Sequence, residues 1–574
     1  MSLFRSTPVR LRTSTTAHGR TRRIRFAWLL SCVVLTAVLS IVPSGRSASA
    51  AAQSPGEASP ELQIDTAIDQ KNSADSVPAV EQADADTLLR RTTLDLAGRI
   101  PTAAEREWYL SLPAESRQQT LVDRLLLLPD FDFHLRNSLD ELLLPDRPND
   151  GEFREYLLTA IRERRPWSRM FREMLLAQPA EGPDKGAAQF LRSRVREVDD
   201  LTNDTAVLFF GVNISCAKCH DHPLVSDWKQ DHYFGMQAFF HRTFASKKNV
   251  VLEKPYGSVR FKTTAGTDRD AAFMFLTGTV VSDATPTLSD EEKKAVEEQI
   301  RKLEREDDAQ PVTVSFSPRQ ALIDTALADQ QRYLARNIVN RTWARLLGTG
   351  FVDPPDQMHS GNPASHPELL AMLAEDLVRH DYDLRRLIRG IVLSRTYSRS
   401  SRWTSESPPP AAQTFAVAAT RPLTPRQLAA SLQIAARSSN SWPTVDEMTA
   451  KPEEWLKRRT DLENQAGGWM REFEQPSADF QIAVDEALFF SNNDRVQNDL
   501  LRDGNDRLVG SLKSAATPDL AAAELWKVVC SRQPVAEEIE VVSGWFAKAP
   551  ERRVNDVQAL IWALLAGPEF RFNH

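Results

Sequence analysis

The sequence predicts a mainly α protein in which two helical domains are joined by a small β element and a charged helix. Apolar residues recur at three- and four-residue spacing from residue 84 and again from residue 318, which is the period of a helix with one buried face. Between about 250 and 282 this spacing gives way to the alternation of short strands. A run dense in charge follows at 289–307, as in a solvated helix.

The composition supports packed globular structure. The chain has 574 residues, of which 41% are hydrophobic and 26% charged, as in ordinary folded domains. The formal net charge of -7 provides no general basic field, so we expect no nucleic-acid partner.

The N-terminus has the pattern of an export signal. Basic residues in RTRRIRF precede an apolar stretch at 26–42, and small residues continue to Ala50. We therefore expect a signal peptide at 1–50, cleaved after Ala50, and an exported protein of the periplasm or cell envelope. An uncleaved anchor helix is the alternative, although the apolar stretch is at the short limit for a membrane span. Beyond this segment we expect no membrane association.

Residues 51–83 are predicted to be a flexible linker. They are small, polar and interrupted by proline, a composition that buries too little apolar surface to offset the entropy of ordering.

A helical domain is expected over 84–250. Gly98 follows the first periodic stretch as a helix-ending residue, and Thr102 with Glu105 forms a capping-box pattern at the next helix start. Prolines 129, 145 and 166 separate the helices that follow.

Residues 251–315 are predicted to hold the β element and the charged helix. The segment 249–266 alternates around a Pro-Tyr-Gly turn, and 271–281 is a compact apolar run. The charged helix at 289–307 is interpreted as a solvated linker.

A second helical domain is expected over 316–574, with Gly348 as a helix C-cap. Ser365 is a natural N-cap before Pro367, and Cys530 follows an apolar helical pattern that predicts a buried thiol. A site could be built from a second set of polar and aromatic residues, but packing and capping explain this set without one: Arg336, Asn340, Trp343, Asn362 and His366.

The stretch FFGVNISCAKCHDHPLVSDW, residues 209–228, carries the chemistry. Cys216, Cys219 and His220 read C-x-x-C-H, the pattern of covalent haem attachment. Two thiols at this spacing add to the two vinyl groups of the porphyrin, and the next residue ligates the iron. The pattern predicts haem c on the two cysteines with His220 as proximal ligand, and an export signal agrees because attachment takes place outside the cytoplasm.

A ligand on the opposite face of the haem is not singled out by the sequence. His222 is too close along the chain to reach that face. The candidates are His232, Met236, His241, Met358 and His359.

A metal site of another kind is the main alternative. Cys216 and Cys219 with His222 or His232 would supply the thiolate and imidazole ligands of a tetrahedral zinc. A disulfide or a pair of free thiols is the third possibility. The sequence contains no Walker loop, G-x-G-x-x-G, G-x-S-x-G or H-E-x-x-H, so nucleotide and hydrolase functions lack their usual motifs.

Several stretches resemble a family of large exported proteins of planctomycete-type bacteria that carry two adjacent domains of unknown function, DUF1549 and DUF1553. The resemblance to the first domain rests on RRTTLDLAGRIPTAAE and GVNISCAKCHDHPLVSDWKQDHYFGMQAFF. The resemblance to the second rests on ARNIVNRTWARLLGTGFVDPPDQM. The first is often described as cytochrome-like, so the resemblance implies a DUF1549-like domain at 84–250 and a DUF1553-like domain at 316–574. Asp221, Trp228 and Asp231 match the family's cysteine block. We interpret them as residues that cap or pack the loop; the alternative is that an aspartate orients a histidine.

The expected function is electron transfer in the cell envelope by a c-type-haem-like protein. If the protein is an enzyme, an oxidoreductase or a subunit of one is expected. A zinc-binding or non-redox scaffold of the cell envelope is the alternative. Family members often appear beside genes for an exported DUF1501-family protein, so that protein or another redox partner is the expected partner.

Overall fold

The computed structural model describes residues 59–145, 151–177, 182, 184–221, 225–475, 493–547 and 553–574. The predicted signal peptide at 1–50 lies outside these residues. Residues 58–574 form one compact unit. The mainly α prediction is confirmed, and in the described part of the chain the strands occur only in short antiparallel pairs. Among the described helices, none combines the length and the apolarity needed to cross a bilayer.

The first helical segment begins earlier than predicted. Its α-helices are α1 (Pro60–Ala74), α2 (Ala85–Ala97), α3 (Ala103–Ser111), α4 (Ala114–Leu125), α5 (Pro129–Leu143), α6 (Gly151–Arg162), α7 (Trp167–Leu176), α8 (Gln189–Arg192), α9 (Val198–Phe210) and α10 (Gln230–His241). The local signals are confirmed: Gly98 ends α2 in the left-handed conformation, and Thr102 caps α3 in a capping box with Glu105.

The prediction of a flexible linker at 51–83 is wrong for residues 60–74, which form α1. Ile64 and Ile68 lie four residues apart and are fully buried, so they form one apolar stripe that packs against the core. The carboxylate of Asp65 accepts hydrogen bonds from the backbone N–H groups of Arg395 and Thr396 at 2.9 and 3.0 Å. Two buried isoleucines and one capping carboxylate therefore order a segment whose average composition is that of a linker.

The β element consists of three two-stranded antiparallel sheets. The strands are β1 (Thr243–Ala245), β2 (Val251–Glu253), β3 (Arg260–Lys262), β4 (Asp268–Asp270), β5 (Phe273–Met274) and β6 (Val280–Val281). The Pro-Tyr-Gly turn does not join paired strands: β2 pairs with β1, and β3 pairs with β4. The sequence predicted strands between about 250 and 282, but it did not predict β1, which lies before this range, or the pairing of the strands.

The charged helix is α11 (Asp290–Arg305). Ser289 caps its first turn and forms a capping box with Glu292. Although most of its surface is exposed, Ile300 and Leu303 are buried against Phe244 of β1. The helix is therefore attached to the β element by a narrow apolar stripe.

The second helical segment returns the chain to the same unit. Its α-helices and strands are α12 (Pro318–Ala328), α13 (Tyr333–Leu347), α14 (Pro367–Arg379), α15 (Leu384–Leu393), α16 (Arg395–Ser398), β7 (Arg421–Pro422), α17 (Pro425–Ala435), α18 (Val445–Ala450), α19 (Pro452–Trp469), α20 (Leu508–Lys513), α21 (Pro518–Val529), α22 (Ala536–Phe546), α23 (Arg553–Ala566), α24 (Pro568–Arg571) and β8 (Phe572–Asn573). Gly348 caps α13 as predicted. Ser365 is not the N-cap of α14; that position belongs to His366, because Pro367 is the first helical residue.

The two helical segments share their hydrophobic cores. One core contains Ile64 and Phe209 together with Trp343 and Phe415. A second core packs Leu94, Ile100 and Ala103 against residues of the last third of the chain. Each core therefore needs both segments, which explains why 58–574 is one compact unit.

Candidate functional site

The cysteines lie on a loop that leaves the end of α9, which we call the cysteine loop (residues 211–221). Gly211 begins it in the left-handed conformation, with φ 70°. The side-chain oxygen of Asn213 then accepts hydrogen bonds from the backbone N–H and the hydroxyl of Ser215, at 3.1 and 2.7 Å. This turn starts a short 3₁₀ helix, Ser215–Lys218.

Both cysteines of the motif are exposed free thiols. Cys216 lies within the 3₁₀ helix, and Cys219 is the residue directly after it. By contrast, Cys530 is buried, as the sequence predicted. The motif therefore presents two accessible thiols at the surface.

His220 has one ring nitrogen engaged. Its Nδ1 lies 2.7 Å from the backbone carbonyl oxygen of Asp221. Since a carbonyl only accepts, Nδ1 carries the proton in the neutral ring and Nε2 keeps its lone pair. A backbone carbonyl is one of the usual partners that orient a metal-ligating histidine through its other ring nitrogen.

Gln230, at the start of α10, fastens the cysteine loop. Its side-chain nitrogen donates to the carbonyl oxygens of Lys218 and Cys219, both at 3.3 Å. Its side-chain oxygen accepts from the backbone N–H of Thr264 at 3.0 Å. Gln230 is buried, so this side chain joins the cysteine loop, α10 and the β element.

Asp199, near the start of α9, fixes the other side of the loop. Its carboxylate forms an ion pair with Lys218 and accepts hydrogen bonds from Tyr233 at 2.6 Å and Gln237 at 2.7 Å. Desolvation would raise the pKa of Asp199, but the hydrogen bonds from Lys218 and Tyr233 outweigh it and lower that pKa. The carboxylate stays ionised and holds Lys218 in place.

The second helical segment also contacts the cysteine loop. The backbone N–H of Asn213 donates to the carbonyl oxygen of Asp356 at 2.9 Å, and that of Met358 donates to Gly211 at 3.0 Å. Val212 and Gln357 form an antiparallel bridge. The loop is thus held between the two segments.

The zinc ligand set is not assembled among the described residues. In that part of the chain, no group of three or more His, Cys, Asp and Glu side chains is arranged to hold a metal ion. His222 lies outside the described residues. The Nδ1 of His232 accepts a hydrogen bond from the backbone N–H of Lys229 at 3.2 Å, so Nε2 carries the proton in the neutral ring and offers no lone pair.

The candidates for the opposite haem face have different surroundings. Met236 and Met358 are buried in the core, whereas His241 is exposed. The Nδ1 of His359 accepts from the backbone N–H of Gly361 at 3.1 Å, and its Nε2 lies 3.1 Å from the side-chain oxygen of Gln357. The positions of these four residues do not single out any of them as the ligand on the opposite face of the haem.

The residues that match the family's cysteine block have structural roles. Asp221 accepts a hydrogen bond of 3.4 Å from the backbone N–H of Gln230, and Trp228 is 1% exposed. Asp231 forms an ion pair with Arg269 at 2.9 Å.

The polar residues of the second segment serve packing and loop support. Asn340 exchanges hydrogen bonds with both backbone groups of Val352, at 2.8 and 3.0 Å. Trp343 stacks on Phe351 at a ring distance of 4.2 Å, and His366 is buried against the same phenylalanine. Asn362 supports a loop in the same way, by donating to the carbonyl oxygens of Asp353 and Gln357. Arg336 lies on α13, and its buried Nε has no hydrogen-bond partner among the described residues.

Sequence reasoning missed Gln230, Asp199 and Asn213. The first two act across non-local contacts, for which the sequence contains no periodic signal. Asn213 had a readable local signal, since an Asn two residues before a Ser favours a turn in which its side chain accepts from the backbone.

Two family models match the chain. A model described as "Protein of unknown function (DUF1549)", PSCyt2, matches residues 63–245, and one described as "Protein of unknown function (DUF1553)", PSD1, matches residues 318–546. The first match contains the whole cysteine loop. Comparisons with curated proteins and with solved structures gave no match.

Proposed function

Since the chain contains a DUF1549 domain followed by a DUF1553 domain, we propose that it is an exported carrier of covalently bound haem that transfers electrons in the cell envelope. Cys216 and Cys219 are the attachment residues, and His220 is the proximal ligand. The observation that carries this proposal is the exposed thiol pair directly followed by a histidine whose Nδ1 is engaged by a backbone carbonyl, which leaves the lone pair on Nε2.

The attachment chemistry fits the loop without any change in oxidation state. Each thiol adds its S–H across a vinyl double bond, so that sulfur bonds to one carbon and the proton goes to the other. This step requires both cysteines reduced and accessible, and both are free and exposed. Cys530 is also a free thiol, but it is buried and no histidine follows it in the sequence.

The bound haem would supply a one-electron couple. The residues of the loop would keep its ligand and its surface position fixed. The carbonyl of Asp221 orients His220 and makes Nε2 a stronger donor, while Gln230 and Asn213 hold the cysteine backbone. Because the thiols lie at the protein surface, the haem edge would be open to a redox partner, for which an exported DUF1501-family protein is the candidate.

Export is part of the same proposal, since haem attachment takes place outside the cytoplasm. It is supported by the basic residues and the apolar stretch of the N-terminal 50 residues.

A non-redox scaffold of the cell envelope is the second candidate. The observation in its favour is that the cysteine loop is fastened by Gln230, Asn213 and Asp199 without any cofactor. In that case the thiols would be a surface feature and the loop would serve partner binding.

The two candidates are distinguished by potentiometric titration of the exported protein followed by absorption. Electron transfer predicts a reversible Soret change, abolished by the double variant Cys216→Ala/Cys219→Ala and retained in the control Cys530→Ala. It further predicts a changed axial-ligand spectrum in His220→Ala. An exported, folded protein that has no Soret band, or that binds zinc, would refute the haem proposal and favour the second candidate.

A further inference from the structure

A cavity of about 230 Å³ lies where the two helical segments meet. One wall comes from the first segment, through Asp95, His134 and Glu141, and the opposite wall from the second segment, through α13, α17 and α19. A water molecule occupies about 30 Å³ of liquid. The cavity therefore has room for a small polyatomic ion with its water.

Arginine side chains dominate the charge around this cavity. Its lining includes four guanidinium groups: Arg345, Arg421, Arg426 and Arg459. Arg136 and Arg154 lie directly behind them, through contacts with the lining residue Glu463.

Glu463 is the acceptor that these arginines share. Its Oε1 accepts from Arg426 at 2.8 Å and from Arg154 at 3.3 Å, and Arg136 contacts the same atom. Its Oε2 accepts from Arg459 at 3.2 Å. Desolvation would raise the pKa of Glu463, but Arg459 and Arg426 outweigh it and lower that pKa to about 2. One permanently ionised carboxylate thus serves four guanidinium groups.

The remaining carboxylates do not balance the surplus. The carboxylate of Asp95 forms an ion pair with Arg421 at 2.8 Å and also accepts hydrogen bonds from Tyr397 and Asn573. Asp130, which lies 3.4 Å from Arg459, is already paired with Arg99 at 2.6 Å. Since Arg99 has Glu105 as a second carboxylate, Asp130 also offsets part of the charge of Arg459. Among the described residues that line the cavity itself, four guanidinium groups meet three carboxylates: Asp95, Glu141 and Glu463.

Two donors are left over at the cavity wall. Arg345 donates one hydrogen bond, to the hydroxyl of Ser138 at 2.9 Å, and within the described structure no carboxylate forms an ion pair with it. The buried Nε of Arg426 has no hydrogen-bond partner among the described residues. Arg426 is paired with Glu463 through another nitrogen, and Asp95 and Glu141 lie near Arg345, but the unused N–H groups of both arginines remain as donors for an anion that enters the cavity.

The pKa of His134 agrees with a positive potential in the cavity. Burial lowers this pKa to about 3, and the guanidinium groups of Arg345 and Arg459 contribute to the lowering. His134 is therefore neutral at ordinary pH and adds no charge of its own.

We propose that this cavity is a binding site for a small oxyanion, such as sulfate, phosphate or a carboxylate group, held by Arg345 and Arg426. Guanidinium groups match such anions in geometry and form short charge-assisted hydrogen bonds with them. Because both helical segments supply the walls, the bound anion also strengthens the junction between them. The site is independent of haem and of the cysteine loop.

The proposal is tested by calorimetric titration of the full chain with sulfate, phosphate and acetate at constant ionic strength, with chloride as background. Arg345→Gln removes a donor and should weaken oxyanion binding at least tenfold. Glu141→Gln removes a negative charge from the same wall and should tighten binding. The surface variant Arg172→Gln, whose ion pair with Asp324 lies outside the cavity, should bind as the wild type does.

Opposite effects of Arg345→Gln and Glu141→Gln support the site, because a general loss of stability cannot tighten binding. If Arg345→Gln fails to fold, oxyanion binding in the cavity is tested by the affinity of Glu141→Gln and by a crystal of the protein soaked with selenate. An anomalous selenium peak in the cavity is expected. Absence of that peak, or identical affinities in the wild type and Glu141→Gln, would overturn the proposal.

Discussion

The indole nitrogen of Trp455 donates a hydrogen bond of 2.8 Å to Oδ2 of Asp130, although the two residues are 325 positions apart. The other carboxylate oxygen of Asp130 accepts from Arg99 at 2.6 Å, and the side chains of Asp130 and Arg99 are completely buried. Asp130 lies on α5 and Trp455 on α19, so this contact joins the two helical segments. It explains in part why the segments form one unit.

Replacing Asp130 by Asn should be among the most destabilising changes in the chain. The substitution leaves the buried guanidinium of Arg99 without one of its two carboxylates, which typically costs about 3–5 kcal/mol. Trp455→Phe removes one hydrogen bond and should cost about 1–2 kcal/mol. Urea unfolding measures both variants, and an Asp130→Asn variant no less stable than Trp455→Phe would contradict the role of the ion pair.

Acid should destabilise the protein in part through His366. Burial among Phe351 and Phe415 lowers its pKa from 6.5 to about 4. Above pH 6.5 the imidazole of His366 is neutral in both the native and the unfolded chain. Between pH 6.5 and about pH 4 the unfolded chain binds a proton at this residue that the native chain does not, so the free energy of unfolding falls as the pH is lowered. At about 1.4 kcal/mol per pKa unit, the loss approaches about 3 kcal/mol.

His366→Gln should therefore flatten the dependence of the unfolding free energy on pH between 6.5 and 4, even if it lowers stability overall. Chemical denaturation at several pH values measures this slope. A variant with the slope of the wild type would show that His366 is not buried in its neutral form.

Gly211→Ala should destabilise the start of the cysteine loop. Gly211 has a φ of 70°, and an added Cβ would lie 2.8 Å from Oδ1 of Asn337. Asn337 is itself fixed by a hydrogen bond of 2.8 Å to the carbonyl oxygen of Leu208. Strain and displacement together should cost about 1–3 kcal/mol.

Gly468 provides the matched control within the same chain. It lies near the end of α19 and has open space around its Cα, so Gly468→Ala should be neutral or stabilising by up to about 1 kcal/mol. Thermal unfolding compares the two variants. Equal effects would show that the conformation of Gly211 is not required.

The thiols should react in two classes before any haem is attached. Cys216 and Cys219 are exposed, whereas Cys530 is buried and burial raises its pKa to about 12. Because the thiolate is the reactive form, a thiol reagent should label the first two in the native protein and Cys530 only after unfolding. Peptide mass mapping assigns the labels, and rapid native labelling of Cys530 would contradict the packing around it.

Several features that depend on neighbouring residues were predicted, although the turn at Asn213 was missed and the N-cap at Ser365 was wrong. The helix ends at Gly98 and Gly348 and the capping box of Thr102 and Glu105 were predicted, because a left-handed glycine and a reciprocal cap are local features. The grouping of Cys216, Cys219 and His220 was readable for the same reason.

Non-local features could not be predicted. Helix α1 was missed because the average composition of 51–83 concealed two isoleucines four residues apart, and their burial depends on α15 and its neighbours. The anchoring of the cysteine loop by Gln230 and the arginine cavity both join residues that are distant in sequence. No periodicity or spacing reports such contacts.

The central claim is covalent haem at the cysteine loop, and the intact mass of the exported protein tests it most directly. The full chain, fused behind a host export leader, is produced together with haem-attachment machinery, and its mass is measured after denaturation. We expect a mass increase of one haem per chain, absent in Cys216→Ala/Cys219→Ala and unchanged in Cys530→Ala. An exported chain of unmodified mass, with both loop thiols still reactive, would contradict the claim.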